Sequence, residues 1–269
     1  MRASRIDPGR TLRHLGPSAV PERRLRRVCP QLVTTFTKRF TSAPRGEPDR
    51  EWAALTLLAA AVPDLVPAPL SRGALWVTMS VIPGGPLADP ATPEQVEALG
   101  DVLDSLWSVK PAALLPMDIP ALIGRTLKAL VPLRERDDVI GRAAESAADL
   151  DWSSLLTVQD PVVAHGDPNL ANYLWDGTTM RIVDFEDAGL GDRAMELANL
   201  LEHLAGRRTD WSPLLDRWPA DPVRLQTART LWAAFWLGLI GPGGPSANVN
   251  PPGTAEAQAE RLLRLIAQL

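Results

Sequence analysis

His165-Gly-Asp-Pro-Asn-Leu-Ala-Asn172 is followed, twelve residues after Asn172, by Asp184-Phe-Glu186. These two segments contribute two carboxylates and one carboxamide, those of Asp167, Asp184 and Asn172. Oxygen ligands of this type suit magnesium, a hard cation that keeps several waters and takes few protein carboxylates. Structural zinc would instead require thiolates or several histidines. The two segments therefore predict a magnesium site.

Short strands are predicted on both sides of these segments. Residues 162–164 are apolar and predict a buried strand that leads into the first segment. Residues 173–175 and 181–185 predict a pair of strands, joined by a loop that contains the turn dipeptide Asp176-Gly177. The candidate metal ligands therefore lie on loops around one hairpin, where they can converge.

Strand signals also dominate the N-terminal part of the chain. Residues 31–40 are rich in β-branched and aromatic side chains and predict a strand. Residues 42–48 predict a turn, after which Asp49 is predicted to open a helix. Residues 74–82 predict a second strand, which ends at Pro83-Gly84-Gly85-Pro86.

Beyond this break the pattern becomes helical. Residues 92–95 form a capping box with proline at the first helical position. Residues 119–150 predict further helix, Asp221-Pro222 predicts the start of another, and Thr254 is predicted to cap a last one.

Strands followed by helices around one hairpin predict an α+β protein of two lobes. We predict a small strand-rich N-terminal lobe over residues 1–82 and a larger helical C-terminal lobe over residues 83–269. Residues 1–30 carry no clear signal and stay unassigned within the first lobe.

The charge of the chain is unevenly distributed. Of the formal net charge of −4, residues 1–27 contribute eight arginines against Asp7 and Glu22, a balance of +6, so that the remainder carries −10. The acidic remainder argues against nucleic acid as a partner and is compatible with a cationic substrate. We expect the basic segment 1–27 to be solvated or partly ordered.

The expected location is the cytoplasm. Cys29 is the single cysteine, which excludes an intramolecular disulfide. The apolar stretch 231–240 is much shorter than the roughly 20 residues that a membrane span needs. No apolar core of a secretory signal is present near the start. We therefore expect no membrane partner, and a monomer or homodimer.

The motifs resemble those of the aminoglycoside phosphotransferase and choline kinase family, small-molecule kinases related in fold to protein kinases. The family's catalytic loop has the pattern His-Gly-Asp, four residues, Asn, and its metal loop begins with Asp-Phe or Asp-Trp; residues 165–172 and 184–185 show both. The protein-kinase loop has the same five-residue step from Asp to Asn. The resemblance implies a protein-kinase-like two-lobed fold, with ATP and Mg²⁺ as cofactors and the hydroxyl of a small molecule as acceptor.

The resemblance also implies roles for individual residues. Asp167 would be the catalytic base, and Asn172 and Asp184 would hold the magnesium ions that bridge the nucleotide phosphates. His165 is the second candidate catalytic residue; we expect it to brace the loop through hydrogen bonds, with a direct chemical role as the alternative.

In such kinases a strand lysine pairs with a helix glutamate and grips the nucleotide phosphates. Lys38, the first of three lysines in the chain, fits the lysine, and Glu51 fits the glutamate. Generic strand-end and helix-start preferences would also explain both residues. Backbone groups from Ser80 to Ile82 would meet the adenine edge.

One departure from the family's pattern leaves a second function open. The only glycines before Lys38 are Gly9 and Gly16, whereas these kinases often cover the phosphates with a glycine-rich loop. A nucleotide-binding pseudokinase or regulatory module is therefore the alternative to an active kinase. A metal-dependent hydrolase built on His165, Asp167 and Asp184 is a third hypothesis, although it would require more histidines.

The acceptor is not identified by any motif. An aminoglycoside-like antibiotic, an amino alcohol or a sugar would all fit the family. Four tryptophans in the C-terminal part could line an apolar or cation-binding pocket, or could belong to the core; these are Trp211, Trp218, Trp232 and Trp236.

Overall fold

The computed structural model describes residues 22–28 and 31–269, with side chains from residue 34 onward. The described residues form nine strands and eight α-helices. The strands are β1 (Glu22–Val28), β2 (Gln31–Arg39), β3 (Pro69–Gly73), β4 (Trp76–Ser80), β5 (Gly85–Pro86), β6 (Pro161–Ala164), β7 (Tyr173–Trp175), β8 (Met180–Ile182) and β9 (Gly189–Asp192). The helices are α1 (Glu47–Ala61), α2 (Pro93–Trp107), α3 (Ile119–Leu130), α4 (Val139–Ala148), α5 (Arg193–Glu202), α6 (Ser212–Arg217), α7 (Pro222–Ile240) and α8 (Thr254–Ile266).

The N-terminal lobe is a four-stranded antiparallel sheet in the order β1-β2-β4-β3. Strand β2 confirms the strand predicted over residues 31–40, and β4 lies within the predicted range 74–82. The basic segment 1–27, which we expected to be solvated or partly ordered, is ordered at its end, where the backbone of residues 22–27 pairs with β2 as part of strand β1. Charged residues are common on edge strands, so composition alone conceals such a strand.

Two other local predictions need correction. Helix α1 begins at Glu47 and not at Asp49, because Gly46 caps it in a left-handed conformation (φ 72°) and Pro48 is tolerated in the first turn. Strand β3 was not predicted; it has a mixed composition and, among the described strands, pairs only with β4.

The predictions for residues 1–21 lie outside the described residues. This applies to Gly9, Gly16 and most of the basic segment. Residues 29 and 30, which connect β1 to β2, also lie outside them, so any loop that covers the phosphates at this position is not described.

After β4 the chain is largely helical. Strand β5 follows the Pro83-Gly84 break and already pairs with β7, while β7 pairs with β8. The capping box at residues 92–95 is present at the start of α2, and Asp221 caps α7 as predicted. Thr254, in contrast, is the first residue of α8, and Gly253 (φ 86°) is its cap.

The C-terminal tryptophans belong to the packed interior. Trp211, Trp218, Trp232 and Trp236 are 3–7% exposed. Trp218 packs against Trp107 with ring centroids 4.5 Å apart. Among the described residues, no helix has both the length and the apolar character that a membrane span requires.

Candidate active site

Lys38 and Glu51 form a buried ion pair between the sheet and the first helix. Lys38 lies near the end of β2 and Glu51 lies in α1, with Nζ 2.9 Å from Oε2. Both side chains are at most 7% exposed. The structure thus brings together the two residues that the sequence analysis paired.

Two further carboxylates reach the same ammonium group. Asp184 bonds to Lys38 Nζ, and Glu186 Oε2 lies 2.7 Å from it. Burial alone would lower the pKa of Lys38, but the charges of Glu51, Asp184 and Glu186 outweigh it and raise this pKa above its ordinary value. Burial raises the pKa of Glu51, and the neighbouring Asp184 and Glu186 add to this effect, whereas Lys38 opposes it.

The backbone around Asp184 directs these side chains. Asp184 has a positive φ of 72°, which is unusual for a residue other than glycine and often marks a functional site. This conformation ends strand β8 at Ile182, earlier than the predicted residue 185. Phe185 is fully buried and lies edge-on to His165, with ring centroids 4.9 Å apart. Anchored in this way, the loop presents Asp184 and Glu186 to Lys38.

His165 holds the catalytic loop through both ring nitrogens. Nε2 lies 2.9 Å from the Val183 carbonyl oxygen, so it must donate, and Nδ1 accepts the Asp167 N–H at 3.3 Å. The Val183 N–H donates in turn to the Asn172 carbonyl oxygen at 3.0 Å. Both ring nitrogens of His165 thus bond to the backbone, the contacts expected of a residue that braces the loop.

Asp167 is a partly exposed member of this loop. Its side chain is 38% exposed, and Asn172 Nδ2 donates to its Oδ2 at 3.0 Å. Oδ1 lies 3.6 Å from Nε2 of His203. Burial would raise the pKa of Asp167, but its contacts with His203, His165 and Asn172 outweigh burial and hold this pKa below its usual value. The carboxylate is therefore ionised at neutral pH, as a proton acceptor must be.

Helix α5 fixes the position of the catalytic loop. Glu196 accepts the His165 N–H at 2.7 Å and the Gly166 N–H at 3.3 Å, and Asn199 Nδ2 donates to the Gly166 carbonyl oxygen at 3.0 Å. Burial raises the pKa of Glu196. Asp192 stabilises the start of the same helix, since it caps α5 and pairs with the buried Arg224 at 2.9 Å.

The oxygen atoms available here fit a hard cation. The amide nitrogen of Asn172 is used by Asp167, while among the described residues its carboxamide oxygen accepts no hydrogen bond. Carboxylate oxygens of Glu51, Asp184 and Glu186 lie within 4.8 Å of one another, gathered around the Lys38 ammonium. The Asp184 carboxylate and the Asn172 carboxamide offer oxygen ligands, which suit magnesium and not structural zinc.

The backbone groups predicted to meet adenine are partly used within the sheet. The Ser80 N–H donates to the Ala68 carbonyl oxygen at 2.9 Å, and the Val81 N–H donates to the Thr34 carbonyl oxygen at 2.9 Å. The backbone N–H of Ile82 donates no hydrogen bond to any residue in the described range 31–269. Of the two residues named for this contact, only Ile82 has a free backbone donor.

Several residues of the site carried no recognisable signal. Glu186 was quoted with the metal loop but had no predicted role, although its position two residues after Asp184 places it on the same side of the loop. His203 and Arg45 are distant in sequence from the residues they contact. Arg45 pairs with Asp187, next to the metal loop, and the Arg50 guanidinium donates to the Ala188 carbonyl oxygen at 3.2 Å. These two contacts link the start of α1 to the metal loop.

Family membership follows from the sequence match. A model of the phosphotransferase enzyme family matches residues 22–235, which include every site residue described above. The chain belongs to this family. A comparison with curated protein sequences returns no match.

Solved structures of family members have the same fold. The gentamicin complex of APH(2″)-IIa superposes with a TM-score of 0.60 at 16% identity, covering 87% of this chain and 85% of that chain. A choline/ethanolamine kinase family protein from Mesorhizobium loti gives 0.57 at 20% identity, covering 91% and 87%. The choline kinase LicA from Streptococcus pneumoniae gives 0.59 at 13% identity, covering 92% and 90%. The predicted two-lobed, kinase-like α+β fold is thereby confirmed.

The close approach of two loops at Gly166 gives a first prediction. Gly166 has φ 83°, and a Cβ there would lie 2.7 Å from the Asp187 carbonyl oxygen. Gly166→Ala should therefore destabilise the protein and displace Asp167, lowering turnover by about 100-fold. Gly177→Ala is the matched control, since Gly177 also has a positive φ of 102° but a Cβ there would meet nothing within 4 Å. The control should cost about 1 kcal/mol of stability and leave turnover unchanged. Equal turnover of the two variants, measured as initial rates on folded protein, would contradict this prediction.

Proposed function

We propose that this protein transfers the γ-phosphoryl group of ATP to a hydroxyl group of a small molecule, in a magnesium-dependent reaction. One observation carries the proposal: Lys38, Glu51 and Asp184, from a strand, a helix and a distant loop, meet beside the loop that bears Asp167. Phosphoryl transfer requires such an arrangement, because its catalysis consists mostly of positioning and charge neutralisation.

Each residue has a defined part in the proposed step. The Lys38 ammonium, held by Glu51, binds the phosphates of the nucleotide. Asn172 and Asp184 hold magnesium, which when bound neutralises charge on those phosphates. Asp167 accepts the proton of the acceptor hydroxyl as the acceptor oxygen bonds to the γ-phosphorus. The bond from that phosphorus to the bridging oxygen breaks at the same time, and ADP leaves.

ATP is proposed as the phosphoryl donor because relatives of this fold have been solved with adenine nucleotides bound. APH(2″)-Ib has been solved with ADP bound, and APH(2″)-IIa as a ternary complex with streptomycin and ATP. In this chain, the free N–H of Ile82 is the proposed donor to the adenine ring.

The acceptor is proposed to be a small cationic alcohol, such as an aminoglycoside-like antibiotic or an amino alcohol. Relatives of this fold include choline and ethanolamine kinases as well as a macrolide phosphotransferase. The chain beyond residue 27 carries a charge of −10, which attracts positive groups and so favours a cationic acceptor. We propose a cytoplasmic enzyme that acts without a nucleic-acid or membrane partner.

A nucleotide-binding module without turnover is the second candidate. It is favoured by the sequence before Lys38, whose only glycines are Gly9 and Gly16. Against it, Asp167, Asn172 and Asp184 are all present in the loops that an active kinase requires.

A thermal-shift experiment with ATP, with and without magnesium, tests nucleotide and metal binding, whereas turnover separates an active kinase from the second candidate. With nucleotide at 100 times its dissociation constant, binding should stabilise the fold by about 2.7 kcal/mol. We expect this shift for the wild type, its loss with a chelator, and its loss in Asp184→Asn. A hydrolase should show no shift with ATP, and an unchanged shift in Asp184→Asn would contradict the metal assignment.

A further inference from the structure

His203 lies against the candidate base although the two residues are far apart in sequence. Its ring is 3% exposed and lies at the end of α5, where Nε2 is 3.6 Å from Asp167 Oδ1. On another side the ring meets Trp236 edge-on, with ring centroids 4.7 Å apart and an interplanar angle of 88°. The ring is therefore fixed between the core and Asp167.

The other ring nitrogen determines where the proton resides. Nδ1 of His203 accepts the Ala205 N–H at 3.1 Å, so this nitrogen carries a lone pair. A neutral ring must then carry its proton on Nε2, the nitrogen that faces Asp167. His203 therefore presents an N–H to Oδ1 of the carboxylate.

Both oxygens of the Asp167 carboxylate thus face a donor. Asn172 Nδ2 donates to Oδ2 at 3.0 Å, and His203 Nε2 faces Oδ1. Two donors on different oxygens define the plane of a carboxylate, which a single donor would leave free to rotate. The remaining lone pairs then keep a fixed direction, on a side chain that is 38% exposed.

We propose that His203 is a positioning residue of the phosphoryl-transfer reaction, whose Nε2–H orients the Asp167 carboxylate towards the acceptor hydroxyl. This inference rests on the proposed function. In this proposal His203 transfers no proton. The proton of the acceptor hydroxyl passes to Asp167, and the proton on His203 Nε2 stays on the ring. A residue that acts in this way should affect kcat and leave the KM for ATP unchanged, because the nucleotide contacts lie with Lys38 and Asp184.

The ring also stabilises the backbone by accepting the Ala205 N–H. Two substitutions can separate this structural role from the positioning role. Asparagine at position 203 places an acceptor near the position of Nδ1, so it keeps the bond from the Ala205 N–H but lacks a donor at the distance of Nε2. Glutamine reaches the position of Nε2 with an amide N–H but loses the acceptor near the backbone. The positioning role predicts that His203→Asn is the slower enzyme, whereas a capping role alone predicts the opposite order.

The test is steady-state kinetics of both variants with ATP and an acceptor that the wild type phosphorylates. We expect kcat of His203→Asn to fall by about 10- to 100-fold with an unchanged KM for ATP, since small misplacements of reacting groups have effects of this size. His203→Gln should remain within a few-fold of the wild type. Wild-type kcat in His203→Asn, or an equal loss in both folded variants, would overturn the proposal.

A measurement on the wild type decides the contact even if a variant fails to fold. Long-range ¹H–¹⁵N NMR spectra report which nitrogen of each of the three histidine rings is protonated, and the His203 ring is recognised by its proximity to Trp236. We expect a proton on Nε2 and none on Nδ1; a proton on Nδ1 would overturn the proposal. If the wild type transfers no phosphoryl group at all, the proposed function fails, while the NMR result still confirms or refutes the contact with Asp167.

Discussion

Asp167→Ala is expected to lower kcat by about 10²–10⁴-fold, the range that a general base contributes. The 38% exposed carboxylate is the group in the catalytic loop that can reach an acceptor hydroxyl, since both ring nitrogens of His165 bond to the backbone. Nucleotide affinity should change little, because Lys38 and Asp184 are untouched. Steady-state turnover and calorimetric titration with ATP and magnesium measure the two quantities.

Asp137→Ala is the matched control for this experiment. Asp137 is an exposed aspartate in the loop between α3 and α4, so the same chemical change there should leave turnover and ATP affinity at wild-type values. Turnover of Asp167→Ala equal to that of the control would remove Asp167 from the mechanism.

Lys38→Met is expected to abolish phosphoryl transfer and to destabilise the protein without nucleotide. The side chain neutralises Glu51, which is 1% exposed, and also meets Asp184 and Glu186. Removing the ammonium leaves these carboxylates facing one another. We expect the free energy of unfolding to fall by about 3 kcal/mol, the lower end of the range for breaking a buried pair, because Glu51 can take up a proton.

A second substitution separates the two effects of Lys38→Met. In Lys38→Met/Glu51→Gln the buried charge is removed as well, so stability should return towards the wild type while turnover stays absent. Urea unfolding in the presence of a chelator measures the first quantity, and the rate of ADP formation measures the second. If the double variant were no more stable than Lys38→Met, the Lys38–Glu51 pair would not be the source of the lost stability.

The catalytic and metal loops could be predicted from sequence because their chemistry lies in contiguous residues. His165, Asp167 and Asn172 occupy one short segment, and Asp184 follows after a single hairpin, so spacing alone brings them close. The meeting of Lys38 with Glu51 was predictable for another reason: lysine is rare in this chain, and few alternatives existed.

Other contacts depend on packing between distant segments and left no local pattern. His203 reaches Asp167 only because α5 crosses behind the catalytic loop, where Glu196 also bonds to it. Strand β1 has an arginine-rich sequence that does not indicate a strand, and it forms through its pairing with β2. The early end of β8 follows from the left-handed backbone of Asp184, which side-chain composition does not reveal.

Mass spectrometry of the products formed from ATP carrying an ¹⁸O-labelled γ-phosphoryl group tests the assignment of phosphoryl transfer most directly. Reaction mixtures would contain a panel of amino alcohols, aminoglycosides and sugars. We predict that the labelled phosphoryl group appears on a hydroxyl compound, and that this transfer requires magnesium, Asp167 and Asp184. Intact ATP in every wild-type mixture, or label transfer that persists in Asp184→Asn, would contradict the account.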